Sequence, residues 1–240
     1  MSANRLHAGT PPNFHHILKV FSKTTSNYLS IEAIGKGRWY VMDQQSLINK
    51  FNKQAHKYSK RRLHDQLYQF RNKIFPEAYG KVIEVGIGTG LNFPFYANDI
   101  ELTGVDFSPE MLKIANDTAH EYPFSTKLIE GDIESVHFDE NTFDTVVSSL
   151  TLCAYRDPVF VLDKFKKWCK PDGKILMMEH GISSKKSVAL LQHTIDPLAL
   201  KILGCHQNRN IIKLMKQAEL KVIKKEQYFA GYLSLIWAAP

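Results

Sequence analysis

From residue 80 onward the hydrophobic positions of the chain fall into two alternating rhythms. Short apolar or β-branched runs at 81–86, 101–105, 126–130, 143–149, 173–179, 220–228 and 231–238 predict strands. Between them, apolar residues three or four positions apart predict helices over 90–97, 109–120, 157–169, 186–203 and 208–218. This alternation predicts a doubly wound, mostly parallel sheet with helices on both faces. Ahead of it, helical spacing runs from Ser46 through Leu47, Ile48 and Phe51 to Tyr58, and again from Leu63 to Phe75, where Pro76 ends it. Nearer the start, Asn13 can cap a short helix with Phe14, Ile17, Leu18 and Phe21 along one face. Between these, Gly35-Lys36-Gly37 reads as a turn and 38–42 as a short strand.

The most informative punctuation lies where the first strand of the alternating region ends, in Val82-Ile83-Glu84-Val85-Gly86-Ile87-Gly88-Thr89-Gly90. Glycines at alternate positions let the backbone turn sharply and approach a ligand without Cβ clashes. The spacing is E-x-G-x-G-x-G, which is neither the G-x-G-x-x-G dinucleotide fingerprint nor a phosphate loop followed by Lys-Ser or Lys-Thr. The second strand ends on Asp106, placed to accept hydrogen bonds from both hydroxyls of a ribose. A further acid follows the third strand in Glu130-Gly131-Asp132-Ile133.

These motifs occur in order with Phe107-Ser108-Pro109-Glu110-Met111-Leu112, Phe143-Asp144 and Lys170-Pro171-Asp172-Gly173. Taken together they resemble the class I S-adenosylmethionine-dependent methyltransferases. That resemblance implies seven strands in the order 3-2-1-4-5-7-6, with the last antiparallel, and S-adenosylmethionine as cofactor. It implies that Gly86, Gly88 and Gly90 present backbone to the methionine portion while Glu84 orders the loop beneath. It also implies that Asp106 holds the ribose and Asp132 the adenine amino group, with Ile133 and Phe107 or Met111 against the ring. Tyr58, in the loosely matching Ala55-His56-Lys57-Tyr58, and Ser148 are further expected cofactor contacts. A plain core role for Met111 and a capping role for Ser108 on the helix from Pro109 stand beside these.

Methyl transfer from a sulfonium needs orientation and desolvation above all. A base is needed only for an acceptor that is protonated at neutral pH, and the candidates at strand ends are His180, Tyr155 and Asp157. A hydrogen-bonded structural role for His180 is the alternative. No metal site is expected. The fourth strand ends in Ser148-Ser149-Leu150-Thr151-Leu152, without the Asn/Asp-Pro-Pro-aromatic tetrad of nucleic-acid amino-methyltransferases, which argues against a nucleic-acid acceptor. Cys153 lacks the preceding proline of RNA cytosine-C5 methyltransferases, and Cys153 and Cys169 read as small buried side chains.

A narrower resemblance rests on Glu179-His180-Gly181, Asp196-Pro197 and Gly204-Cys205-x-x-Asn208-Arg209. It points to small-molecule and lipid methyltransferases that act on phosphatidylethanolamine, quinone precursors or thiols. The aliphatic helix between these motifs is expected to roof an acceptor pocket or to pack on the sheet. The leading acceptor is a phospholipid amine, with an apolar thiol or quinone precursor as alternatives. A non-catalytic S-adenosylmethionine-binding module is the reading from another class.

Charge sharpens the division of the chain. Residues 1–75 hold 13 Lys and Arg against 3 Asp and Glu, and the remainder hold 18 against 21. Residues 1–45 thus read as a basic arm and 46–240 as the catalytic domain, with an anionic membrane surface as the arm's candidate partner. Docking of the arm on its own domain or a second subunit is the alternative. No apolar run approaches the ~20 residues of a membrane span, and three widely spaced cysteines suit a reducing, cytoplasmic setting with peripheral membrane contact left open.

Overall fold

A computed structural model of the chain describes residues 43–61 and 65–240. The predicted amphipathic helix at 13–23 and strand at 38–42 lie outside the described residues. The seven strands are β1 (Lys81–Val85), β2 (Glu101–Asp106), β3 (Ser125–Glu130), β4 (Phe143–Ser149), β5 (Cys169–His180), β6 (Lys221–Tyr228) and β7 (Leu233–Ala239). They form one sheet in the order β3-β2-β1-β4-β5-β7-β6. β7 runs antiparallel to both of its neighbours and the other contacts are parallel, as the sequence implies.

Alternation along each strand divides the core into two layers. Ile83, Val85, Val146, Ile175 and Met177 face one side, and Val82, Val147, Leu176 and Met178 face the other. Both faces of the central strands are buried, which explains their continuous apolar runs.

Six helices complete the described fold: α1 (Gln44–Arg61), α2 (Tyr68–Ile74), α3 (Pro109–Ala119), α4 (Pro158–Trp168), α5 (Lys186–Leu203) and α6 (Ile211–Gln217). Side chains cap four of them as helix chemistry requires: Asp43 accepts from Ser46 N, Ser108 from Met111 N, Asp157 from Phe160 N and Asn210 from Lys213 N. A 3-10 turn at Phe75–Glu77, carrying Pro76, closes α2.

Two expectations are corrected. The stretch 90–97 is no α-helix but a set of turns with one 3-10 turn at Phe93–Phe95. Gly90 sits at φ +77°, Pro94 supplies no N–H, and the Asn92 side chain is committed elsewhere. β5 begins at Cys169 rather than 173, because the Lys170–Gly173 segment stays in the strand as an irregularity, with Phe143 opposite Cys169 but Thr145 opposite Lys174. The β6–β7 hairpin turns through Phe229, Ala230 and Gly231, all at positive φ (52°, 54° and 81°), which places Gly231 at the predicted corner.

Candidate active site

The carboxyl ends of β1, β2 and β4 open into a cleft of about 530 Å³, where ligands bind in such sheets. Its floor is the glycine loop. A Cβ on Gly86 would meet Thr151 Cγ2 at 2.5 Å, so that position is closed by packing. Gly88, at φ +57°, would find no atom within 4 Å, so its bare backbone faces open space. The loop is tied to the second strand, since Gly88 N donates to Asp106 Oδ2 at 2.8 Å and Ser108 N to Oδ1 at 2.9 Å. Each oxygen keeps a second lone pair for a ligand hydroxyl. Burial pushes the Asp106 carboxyl up to about 6, against the pull of these backbone N–H groups.

Glu84 lies beneath the loop, fully buried. Its oxygens accept from Asn92 Nδ2 at 2.6 Å and Tyr96 Oη at 2.7 Å. Arg71 Nη1 donates to Asn92 Oδ1 and, at 2.9 Å, to Ser149 Oγ, while its Nε donates to Asp65 at 2.8 Å. Burial raises Glu84 to about 7, offset in part by Tyr96, Asn92 and the Arg71 charge. This chain of polar contacts binds α2 to the turn after the glycine loop and to the end of β4. Sequence reading missed Arg71, Asp65 and Asn92; the one available signal was Asn92, two residues beyond Gly90.

Of the predicted cofactor residues, Tyr58, Glu84, Gly86, Gly88, Asp106, Phe107, Met111 and Ile133 all line the cleft, together with Phe51 from α1. Phe51 meets Phe107 edge-on at 5.3 Å, and Asn52 accepts from Ser108 Oγ at 2.6 Å, so α1 forms a wall over the end of β2. Gly90 stands just behind, against the Phe93 ring. The structure does not bring Asp132 or Ser148 to the wall. Asp132 is taken up by Arg156 Nη2 and Gln44 Nε2, each at 3.0 Å, and by Glu134 N at 2.9 Å. Ser148 Oγ donates to Glu179 at 2.6 Å and meets Thr151 Oγ1 at 2.8 Å. Glu179 also accepts from Thr151 N and Leu152 N at 3.1 and 3.2 Å, and so shapes the loop after β4.

The three candidate bases separate. Asp157 caps α4. Tyr155 lines the cleft, and its buried hydroxyl has no hydrogen-bond partner among the described residues. That oxygen lies 3.6 Å from where a Gly86 Cβ would stand. Burial holds its ionisation well above the ordinary phenol range, so it stays a neutral donor and acceptor. Thr89 Oγ1, on the loop itself, is also buried without a partner. The orphaned Thr89 hydroxyl, a bare backbone at Gly88 and a carboxylate with free lone pairs fit a ligand with a polar amino-acid end and a ribose, which leaves the Tyr155 hydroxyl for another group. His180 is not among the lining residues. Its ring stacks on Tyr232 with centroids 5.4 Å apart, and its donor atoms lie with those of Cys153 and Cys205 within 4.8 Å of one another. Within this group the Cys153 thiol, then His180 and His206, lower the Cys205 ionisation, while the same contact and burial raise that of Cys153.

The expected roof is also corrected, because no α5 residue lines the cleft. α5 is inside-out. Its buried side includes Gln192 and Asp196, whereas Leu190, Leu191, Ile195, Leu198 and Ile202 are 41–70% exposed. Gln192 accepts from Ser183 N at 2.8 Å and donates to Gly181 O and Gln207 O at 3.0 and 2.7 Å. Asp196 accepts from Gln207 N at 2.6 Å and pairs with His206 Nδ1 at 2.8 Å. Among the described residues, no helix is long and apolar enough to cross a membrane.

Comparison with known proteins agrees with this geometry. A family model described as a methyltransferase domain matches residues 83–177. The chain is 29% identical over 156 residues to a phosphatidylethanolamine N-methyltransferase of Cereibacter sphaeroides, covering 64% of this chain and 76% of that one. It is 29% identical over 150 residues to thiol S-methyltransferase TMT1B of Rattus norvegicus, covering 60% of this chain and 62% of that one, less than two thirds of that relative's length. Among solved structures, an S-adenosylmethionine-dependent methyltransferase of Thermotoga maritima superposes with a TM-score of 0.60 at 19% identity, over 80% of this chain and 98% of that one.

Proposed function

For a chain that belongs to the class I S-adenosylmethionine-dependent methyltransferases, we propose that the acceptor is a lipid-like amine, methylated at a phospholipid surface. The observation that carries this reading is the inside-out α5. Five large aliphatic side chains on one helix are left in water while a glutamine and an aspartate point inward. Lone apolar residues on a surface need no explanation, but a contiguous aliphatic stripe of this kind marks a site of contact. Exposed Lys185 and Lys186 at one end and Lys201 near the other give the stripe the pattern of a helix lying in a membrane interface beside anionic headgroups. The basic residues 1–45 would add to the same attraction. The Cereibacter relative, named for a phospholipid amine, supports the same acceptor class.

S-adenosylmethionine supplies an electrophilic methyl on a sulfonium with a neutral thioether as leaving group. The residues of the chain bind and orient. Asp106 takes the ribose hydroxyls, the Gly86–Gly88 backbone admits the amino-acid end, and Ile133, Phe107 and Met111 flank an apolar slot. Phe51, Tyr58 and Tyr155 bring aromatic rings whose π faces favour a cationic centre. An ethanolamine headgroup is mostly ammonium at neutral pH and has no lone pair to react. Transfer to a desolvated cleft favours its neutral form. The Tyr155 hydroxyl, neutral and otherwise unpaired, then holds the amine by a hydrogen bond. In this reading His180 is not the base, since its side chain is engaged outside the cleft.

The test uses purified protein, radiolabelled S-adenosylmethionine and vesicles containing phosphatidylethanolamine. Label should enter the lipid, and Tyr155→Phe should lower turnover about 10-fold or more with little change in S-adenosylhomocysteine affinity, as expected for loss of a positioned hydrogen bond. Label in a small apolar thiol, with none in the lipid, would replace the amine by a thiol acceptor.

A further inference from the structure

The loop after β4, the last residue of β5 and the segment after α5 converge on three side chains with no part in the cleft. We propose that Cys153, His180 and Cys205 form a binding site for a thiophilic divalent cation, with zinc the ion their chemistry suits.

Two thiols and an imidazole are the donor set that selects zinc over magnesium, calcium or manganese. The three donor atoms lie within 4.8 Å of one another. Tetrahedral zinc, with Zn–S near 2.3 Å and Zn–N near 2.0 Å, sets such atoms about 3.5–3.8 Å apart. A contraction of at most about 1.0–1.3 Å, shared among three side chains, closes the site. A second observation points the same way. Among the described residues, Nδ1 of His180 is buried with no hydrogen-bond partner, although the ring is held in place by stacking on Tyr232. A buried ring nitrogen left unpaired calls for a partner.

Access and support are both present. Cys153 is 3% and His180 8% exposed, while Cys205 is half-buried and gives an ion a way in from the surface. The frame is already rigid: His206 N donates to Cys153 O at 2.9 Å, and Arg209 donates to Leu152 O and Tyr155 O. Gln207 Nε2 donates to Cys205 Sγ at 3.1 Å. Three protein ligands leave a fourth position for water or an incoming group. Cys153 stands two residues before Tyr155, so an ion here would pin the loop carrying the cleft's unpaired phenol. No methyl transfer is involved, and the site stands or falls apart from the proposed acceptor.

The full-length protein, reduced and freed of metal by a chelator that is then removed, is titrated anaerobically with Co²⁺. One equivalent should give thiolate-to-cobalt charge-transfer absorption and the visible bands of a tetrahedral ion, and Zn²⁺ should abolish both. Cys153→Ser and Cys205→Ser should each weaken binding at least about 10–100-fold, the loss expected for much lesser changes around a metal. Cys169→Ser, which alters a buried thiol at the start of β5, should leave the spectrum intact. No charge-transfer band in the wild-type protein overturns the proposal, and that readout depends on no variant folding. A band that survives in the Cys153→Ser/Cys205→Ser double variant overturns it as well.

Discussion

α1 and α5 are both 18-residue helices, and they use their apolar residues in opposite ways. α1 turns Phe51 and Tyr58 to the cleft and buries Ala55, leaving its lysines and glutamines largely outside. α5 turns Gln192 and Asp196 inward beside Ala199 and Leu200, and most of its large aliphatics outward. The difference shows that helical spacing of apolar residues reports an amphipathic helix but not which side meets the protein. On α5 the inner face is chosen by hydrogen bonding. Backbone groups of Gly181, Ser183 and Gln207 need partners, and polar side chains supply them. The aliphatic face is then left for a second apolar phase.

The sharpest way to break this comparison is on the side that α1 covers. Gly88→Val would place a branched side chain in the open space above the loop, at a φ that suits glycine. S-adenosylhomocysteine affinity should fall at least about 100-fold, or about 2.7 kcal/mol, in calorimetric titration. The inner face of α5 comes next. Gln192→Leu leaves two backbone carbonyls and one N–H unpaired beneath the helix and should cost about 2–4 kcal/mol in denaturant unfolding. A cost near zero would mean that polar satisfaction does not set the orientation of α5.

Asp106 sharpens the comparison through pH. Its folded carboxyl titrates at about 6, raised by burial, and ribose binding uses the ionised form. Affinity for S-adenosylhomocysteine should therefore hold above pH 6 and fall towards tenfold per unit below it. In the ligand-free protein the sign reverses. A carboxyl whose folded pKa exceeds its unfolded value of about 3.9 gives stability that is full at low pH and lost as pH rises through about 6. Asp106→Asn should weaken binding by about 1.5–3 kcal/mol, and because its amide cannot accept from both Gly88 N and Ser108 N it should not stabilise the empty protein at pH 8. Affinity that stays flat between pH 5 and 8 would remove Asp106 from the ribose site. The smallest effect is expected on the outer face of α5. Replacing Leu190, Leu198 and Ile202 together by Gln should lower co-flotation with anionic vesicles about 10-fold or more, leaving cofactor affinity and folding unchanged. Equal flotation of both proteins would mean that another surface meets the lipid.

The two regions also differ in how much of them was legible in the sequence. The strands, the glycine loop, the acid at the end of β2 and the Ser108 cap could all be read, because each rests on a local pattern: a β-branched run, φ-permissive residues, or a capping hydroxyl three residues before its partner, whereas the strand order followed from the family resemblance those motifs carry. Asp132 looked equivalent to Asp106, since both follow the end of a strand. Its fate was decided by Arg156, 24 residues onward, and by Gln44, 88 residues back, and local pattern carries no such information. The same holds for the Asp65–Arg71–Asn92–Glu84 chain and for the meeting of Cys153, His180 and Cys205, which three separate segments bring together. The 90–97 helix failed for a local reason: Gly90 and Pro94 were visible but were outweighed by the apolar residues among them.

The attachment of α1 has a kinetic consequence. The helix closes one side of the cleft, and its polar ties include Gln44 to Asp132, Asn52 to Ser108, and Lys50 and Gln54 to the last carbonyls of α5. Ties of this kind contribute about 0.5–1.5 kcal/mol apiece, small enough for thermal opening yet large enough, acting together, to delay it. Were the spent thioether product to leave past α1, its residence time would follow the opening of this helix. In pre-steady-state measurements that delay takes the form of a first rapid turnover followed by a slower, release-limited rate. Lys50→Met, which cuts the tie from α1 to Lys201 O, should speed the second phase and leave the first alone.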